Sequence, residues 1–196
     1  TTVERILYAS PMHYVGKIGI QDQILLKQGR LNEEEWKVMK LHPEIGKSIL
    51  EGAEGGFIKL AEVIAMTHHE KWDGSGYPKG LKGRRIPLVG RIVALADVFD
   101  ALMSKRPYKE AFPLEKSLAI IREGRGSHFD PDVVDAFYDI LEEVLAIQAK
   151  YRDERGSRLF EMANLAVGMK IKSWAGVDAV ITRKTKELPV ILILTS

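Results

Sequence analysis

His68-His69-Glu70-Lys71-Trp72-Asp73-Gly74-Ser75-Gly76-Tyr77-Pro78 is the stretch on which the fold turns. Upstream of it, residues 58–69 carry Leu60, Ala61, Val63, Ile64 and Ala65, a pattern apolar enough for a mostly buried helix. Downstream, Gly74, Gly76, Pro78, Gly80, Gly83 and Pro87 rule out continuous helix or strand through residues 72–87. Leu88 to Met103 returns to a helical apolar pattern, broken by Arg91, Asp97 and Asp100. The string is therefore a loop between two buried helices, and it begins with two adjacent histidines.

The helical pattern extends both ways. Residues 3–15 place Val3, Ile6, Leu7, Met12 and Val15 at helical spacing and stop at Gly16. Asn32, with Glu35 three positions later, spells a capping box ahead of the amphipathic run Glu33–Leu41, which holds Trp36, Val38 and Met39. Pro43 restarts a helix whose apolar face is Ile45, Ile49 and Leu50. Pro113 opens a helix reaching Glu123, and Asp130-Pro131 opens a last long one through Val134, Phe137, Ile140, Leu141, Val144 and Leu145. Composition shifts after residue 155. Met169 to Lys172 alternates, Val180 and Ile181 are β-branched, and Val190 to Leu194 is continuously apolar. The expected fold class is all-α, a multi-helix bundle over residues 1–155 with a short β-leaning extension over 156–196.

Lys+Arg is 29 and Asp+Glu is 27, a net charge of +2, which argues against a basic DNA-binding surface. The absence of cysteine excludes disulfides, zinc knuckles and thiol catalysis. No apolar run approaches the ~20 residues of a membrane helix, so a soluble cytoplasmic domain is expected. Thr1-Thr2-Val3-Glu4 carries no initiator methionine and no signal-peptide core, and the expectation is a piece of a longer protein whose N-terminal helix or helices lie outside it.

Five histidines remain as candidate metal ligands. His13 and Lys17 stand one helical turn apart, which puts both on one face of an α-helix. His42 precedes Pro43 at a helix junction, and His68 and His69 end an apolar helix. Asp97 and Asp100 sit one turn apart in another, where burial costs several kcal/mol unless each is paired or bound to a cation. Taken singly, each has an ordinary reading: a hydrogen-bonded core histidine, an Asp paired with Arg, a plain turn. Their conjunction is what carries information.

The string 68–78 is followed by Ile86-Pro87, Arg91-Ile92, the run from Ala96 to Leu102, Arg106-Pro107-Tyr108-Lys109 and Gly126-Ser127-His128-Phe129-Asp130-Pro131. Together these resemble the HD-GYP family, bacterial phosphodiesterases of cyclic di-GMP within the HD metallohydrolase superfamily, over about residues 5–150. The resemblance implies an HD-type helical bundle. It implies metal ligation by His13, His42, His68, His69 and Asp97, with one or two divalent ions (iron, manganese or another transition metal). Lys17 and Asp97 are the implied catalytic residues, and Tyr77, Arg106 and Lys109 the implied substrate contacts. His128 matches no ligand and is read as structural. The wording around Ala9-Ser10-Pro11-Met12 looks most like members fused behind a receiver domain, which implies a bacterial response regulator and a signalling partner at the Gly-Tyr-Pro loop.

The sequence departs from that pattern at position 14. The family's His-Asp dyad reads His13-Tyr14 here, and the aspartate bridges two ions in the superfamily. A phenol with an ordinary pKa of ~10 is a poor substitute for it. Further ligands, a histidine and sometimes a glutamate, come in the family from a helix preceding His13, and the chain begins too late to hold it. His42, His68 and His69 remain able to hold one ion through three imidazoles. Residues 165–171 resemble a small β element beside some family members, and 188–196 a receiver strand; a packing strand is the simpler reading of both. Two functions stay open: hydrolysis of cyclic di-GMP to linear dinucleotide or GMP, weakened by Tyr14, and an inactive module that binds cyclic di-GMP or a protein. Position 14 separates them.

Overall fold

The computed structural model describes residues 2–52, 55–104, 110–149, 170–172 and 178–180. Residues 1–138 make one compact unit and 139–196 a second.

The first unit opens with α1 (Thr2–Ala9) and a 3-10 helix over Ser10–Gly19 with Pro11 in its first turn. This corrects the single α-helix expected through Val15. Ten residues is long for a 3-10 helix, and its period of three reorganises the side chains. His13, Gly16 and Gly19 now recur along one line, and Lys17 falls in line with Tyr14 instead of His13. The reason for two glycines is packing against α4 (His42–Leu50). A Cβ on Gly16 would stand 1.8 Å from the His42 carbonyl oxygen and 2.5 Å from the Gly46 nitrogen, and one on Gly19 would stand 2.8 Å from the Ile45 side chain. Any larger residue at 16 would force the two backbones apart.

After the short α2 (Asp22–Leu25), α3 (Glu33–Met39) starts on the expected capping box. Asn32 Oδ1 accepts the Glu35 N–H at 2.9 Å, and Glu35 Oε2 accepts the Asn32 N–H at 2.8 Å. Pro43 lies in the first turn of α4, where its missing N–H costs no helical bond. Next come α5 (Gly56–Thr67) and α6 (Leu88–Met103), the two helices that flank the glycine-rich loop. Ala9, Val15, Leu50, Ala61, Ile64, Ala65 and Val93 form the buried core between these elements. α7 (Leu114–Glu123) follows Pro113, and α8 (Pro131–Asp139) follows Asp130. Arg91 and Asp130 form a buried ion pair that ties α6 to the start of α8, with Arg91 Nε donating to the Ile86 carbonyl at 2.8 Å.

The last helix is also shorter than expected: α8 ends at Asp139, Ile140 is a turn residue, and residues 141–149 are helical again. No Pro or Gly between 132 and 149 marks that break. In the second unit, β1 (Lys170–Lys172) and β2 (Asp178–Val180) pair antiparallel, with Ile171 opposite Ala179. Val190 to Leu194 lies outside the described residues, as do Arg106 and Lys109. Among the described residues no helix is long and apolar enough to cross a membrane.

Replacing Gly16 with Ala drives a methyl group into the His42 carbonyl, backbone against backbone. The expected cost is about 3 kcal/mol of stability, read as a lower urea midpoint, with metal binding weakened in parallel. A Gly16→Ala chain as stable as the parent contradicts this packing.

Candidate metal centre

Four histidines reach one place from three points of the chain. His13 comes from the 3-10 helix, His42 is the first residue of α4, His68 caps the C-terminus of α5 and His69 follows it. Ring centroids are 5.1 Å apart for His13 and His68, 5.3 Å for His42 and His68, 4.9 Å for His42 and His69, and 4.0 Å for His68 and His69. One ring nitrogen from each of His42, His68 and His69 lies within 4.8 Å of the others.

Local backbone fixes which nitrogen faces inward. His42 Nδ1–H donates to the Met39 carbonyl at 2.8 Å, and His68 Nδ1–H donates to the Ala65 carbonyl at 2.9 Å. His13 Nδ1–H donates to the Ser10 carbonyl in the same way. Each proton goes to a carbonyl three residues earlier, so each Nε2 is left as a bare lone pair. His42 Nε2 and His68 Nε2 lie 3.2 Å apart with no proton to share, and His13 Nε2 is buried without a hydrogen-bond partner. Lone pairs held together in a buried site repel unless a cation lies between them. Two imidazoles on one ion at ~2.1 Å have nitrogens roughly 3.0–3.4 Å apart, and the observed spacing fits. A ring held at Nδ1 by a carbonyl and offering Nε2 is also the usual arrangement of a metal-bound histidine.

Protons are disfavoured as that cation. Burial is the main cause that lowers His42 from 6.5 to about 4 and His69 to about 3, and it takes His68 well below its usual value. Repulsion among the neighbouring imidazoles and from the Lys17 ammonium adds to the shift.

Asp97, from the middle of α6, supplies the nearby negative charge. Its Oδ1 is 3.6 Å from His13 Nε2 and accepts a hydrogen bond from the Tyr14 hydroxyl. Burial pushes this carboxyl up, but the polar surroundings, with the Tyr14 hydroxyl donating to Oδ1, outweigh it and hold the group ionised. Tyr14 thus occupies one carboxylate oxygen with its phenolic proton. Lys17 Nζ lies 3.8 Å over the Tyr14 ring, the pairing that the three-residue period produces.

Tyr77 is brought in by the glycine-rich loop. Its ring stacks on His69 at 4.7 Å and 23°, and its N–H donates to the His69 carbonyl at 3.1 Å. Burial, and then the charge of Asp97, raise its phenol pKa and keep it neutral. The loop is held by Glu70, whose buried carboxylate accepts the Lys79 N–H at 2.8 Å and the Leu81 N–H at 2.9 Å. Trp72 and Asp73 donate their N–H groups to the His128 and Ser127 carbonyls. His128 itself stacks on Phe129 and stays apart from the imidazole cluster, so it braces the loop.

Two residues near the site were not singled out by sequence reasoning. Glu70 lies inside the quoted string, and its burial was not legible. Lys40 Nζ lies 5.5 Å over the Tyr77 ring, and its position two residues before His42 was the available signal.

Residues 2–133 match the HD domain family. A "Cyclic di-GMP phosphodiesterase" of Vibrio cholerae is 53% identical over 156 residues, which are 77% of this chain and 32% of the relative. The "Cyclic di-GMP phosphodiesterase response regulator RpfG" of Xanthomonas campestris is 54% identical over 134 residues, 68% of this chain and 35% of the relative. A "3'3'-cGAMP-specific phosphodiesterase 2" of Vibrio cholerae is 45% identical over 150 residues, 76% of this chain and 29% of the relative. The chain spans about a third of the length of these curated relatives.

The depressed histidines set a pH window for the metal-free protein. Unfolded, these imidazoles take protons near 6.5; folded, His42 does so near 4 and His69 near 3. Between those values the unfolded state binds more protons, so stability falls as pH drops from about 6.5 toward 4. Urea midpoints of chelator-treated protein at about pH 7.5, 6 and 4.5 are expected to decrease in that order. A flat series contradicts the neutral, buried cluster.

Proposed function

The chain belongs to the HD domain family and, through residues 68–78, to its HD-GYP branch, and on that premise we propose that it hydrolyses cyclic di-GMP to the linear dinucleotide or GMP. The observation that carries the proposal is the set of inward-facing imidazole nitrogens with no proton to share. His42, His68 and His69 would hold a divalent transition metal, with His13 Nε2 and Asp97 as the adjoining ligands. Nitrogen and carboxylate donors without thiolate suit iron, manganese or zinc alike.

A divalent ion there supplies positive charge against anionic phosphate oxygens and lowers the pKa of water toward ~7. The chain's own groups do the rest. Lys17, held over Tyr14 beside the cluster, is assigned to the scissile phosphate, where its ammonium steadies the developing charge and donates a proton to the leaving oxygen. Tyr77 offers an aromatic face at the rim of the site. Arg106 and Lys109 are assigned to phosphate oxygens or guanine edges, Arg106 through its paired N–H groups.

Tyr14 is proposed to tune this site. Its hydroxyl spends Asp97 Oδ1 on a neutral hydrogen bond, which lowers the negative charge available to a second ion. The names of the relatives support cyclic di-GMP first, with 3′3′-cGAMP as the competing substrate. The response-regulator name of one of them supports a receiver domain elsewhere in the full-length protein, with activity governed from there.

The test is metal analysis alongside product formation from both cyclic dinucleotides, on the parent protein, Tyr14→Asp and His68→Ala. The parent is expected to carry metal and to cleave cyclic di-GMP, and His68→Ala to lose about 100-fold in metal affinity and rate. Tyr14→Asp is expected to gain both metal and rate. A metal-loaded parent that binds cyclic di-GMP and releases no product leaves the binding-only reading standing. A Tyr14→Asp protein that gains neither shows that the phenol is not what limits the site.

A further inference from the structure

The region beside the metal centre that no role above absorbs is the outer face of α3. Trp36 is 45% exposed, and no residue of α3 is fully buried. Its capping box and the Lys27–Glu35 ion pair, at 2.7 Å, hold the helix without calling on the indole. Lys40 lies one turn on, its Nζ 5.9 Å from the centre of the Trp36 ring and 5.5 Å from that of Tyr77. Lys37 on the same helix pairs with Glu34, and Lys27 with Glu35. Among the described residues no carboxylate pairs with Lys40, and its partners are two aromatic faces. Tyr77 in turn stacks on His69, a member of the imidazole cluster. An exposed indole, an ammonium, a phenol and the ligand set thus form one continuous line from the surface to the metal centre.

We propose that Trp36, Lys40 and Tyr77 form a purine subsite for the bound nucleotide, in which Trp36 stacks on the base and Lys40 donates to its acceptor edge. The proposal rests on the nucleotide reading above and adds to it a base subsite separate from Arg106 and Lys109. A half-exposed indole beside an ammonium that also faces Tyr77 matches a heteroaromatic ring, since every base has a π-face to stack. An ammonium has donors only, so it favours a purine that presents two acceptors (guanine O6 and N7) over adenine, which places a donor amine beside N7. The strip therefore selects guanine on charge and hydrogen-bond grounds, and it leaves the phosphate to Lys17 and the metal. Arginine would add rigid, bidentate geometry that lysine lacks, so the selection is graded.

The test uses the metal-loaded protein and calorimetric binding of cyclic di-GMP, cyclic di-AMP and ribose 5-phosphate, which has no base. Trp36→Ala is expected to weaken cyclic di-GMP by about 5- to 50-fold, and Trp36→Phe to recover most of that loss, because a phenyl face also stacks. Lys40→Met is expected to narrow the preference for cyclic di-GMP over cyclic di-AMP, which offers the subsite no guanine, by roughly 5-fold or more. Affinity for ribose 5-phosphate and metal content are expected to stay within about twofold of the parent in all three. Cyclic di-GMP affinities within twofold of the parent in Trp36→Ala and Lys40→Met overturn the subsite. So does an equal loss for ribose 5-phosphate, which marks a structural defect. Binding is read separately from turnover: a parent that binds but does not cleave fails the hydrolysis proposal alone, and a parent that binds no nucleotide overturns both.

Discussion

Each of His13, His42 and His68 gives its Nδ1 proton to the carbonyl three residues before it, and the chemistry of the site follows from that constraint. The accepting carbonyls are available because of where helices end. Met39 closes α3, and His68 caps α5, so the Met39 and Ala65 carbonyls lie in last turns that lack a full set of intrahelical donors. A helix terminus thus satisfies an orphan acceptor and, by the same bond, aims Nε2 into the interior. Folding brings bare nitrogen lone pairs to 3.2 Å, an arrangement that is costly without a cation and favourable with one.

The rest of the bundle serves that convergence. The backbones of the 3-10 helix and α4 meet at Gly16, which carries His13, Tyr14 and Lys17 to the side of His42. Ile64 and Ala65 belong to the buried core, so the turn that orients His68 cannot shift without disturbing packing. Glu70 performs the corresponding task for the loop, accepting two backbone N–H groups so that Tyr77 lies flat on His69. Removing a buried acceptor of that kind strands two donors at about 1–3 kcal/mol each. Position and protonation are therefore built by backbone groups, and the side chains that face the ligand are few.

Much of this was legible in the sequence. α6 runs Leu88–Met103 as its apolar period indicates, and the Asn32/Glu35 capping box opens α3 where the spelling places it. The gathering of His42, His68 and His69 agrees with the family resemblance. The 3-10 helix was not legible, because Val15 satisfies an α-period while His13, Gly16 and Gly19 keep a period of three. That ambiguity assigned Lys17 to the face of His13 when it lies on Tyr14. Tyr14 itself could be seen only as a departure, and its hydrogen bond to Asp97, 83 positions away, required the fold. Lys40 was missed for a similar reason: its spacing from Trp36 marks a shared helix face, but nothing in the spacing shows that Tyr77 crosses it. The break at Ile140 has no composition signal at all.

Tautomer state is the claim on which the account stands, and it can be observed directly by nitrogen–proton correlation of the histidine side chains in metal-free protein near neutral pH. His13, His42 and His68 are predicted to carry their protons on Nδ1, with unprotonated Nε2 signals that shift together when a diamagnetic divalent ion such as zinc is added. A proton found on Nε2 of His42 or His68, or Nε2 signals indifferent to the ion, would contradict it.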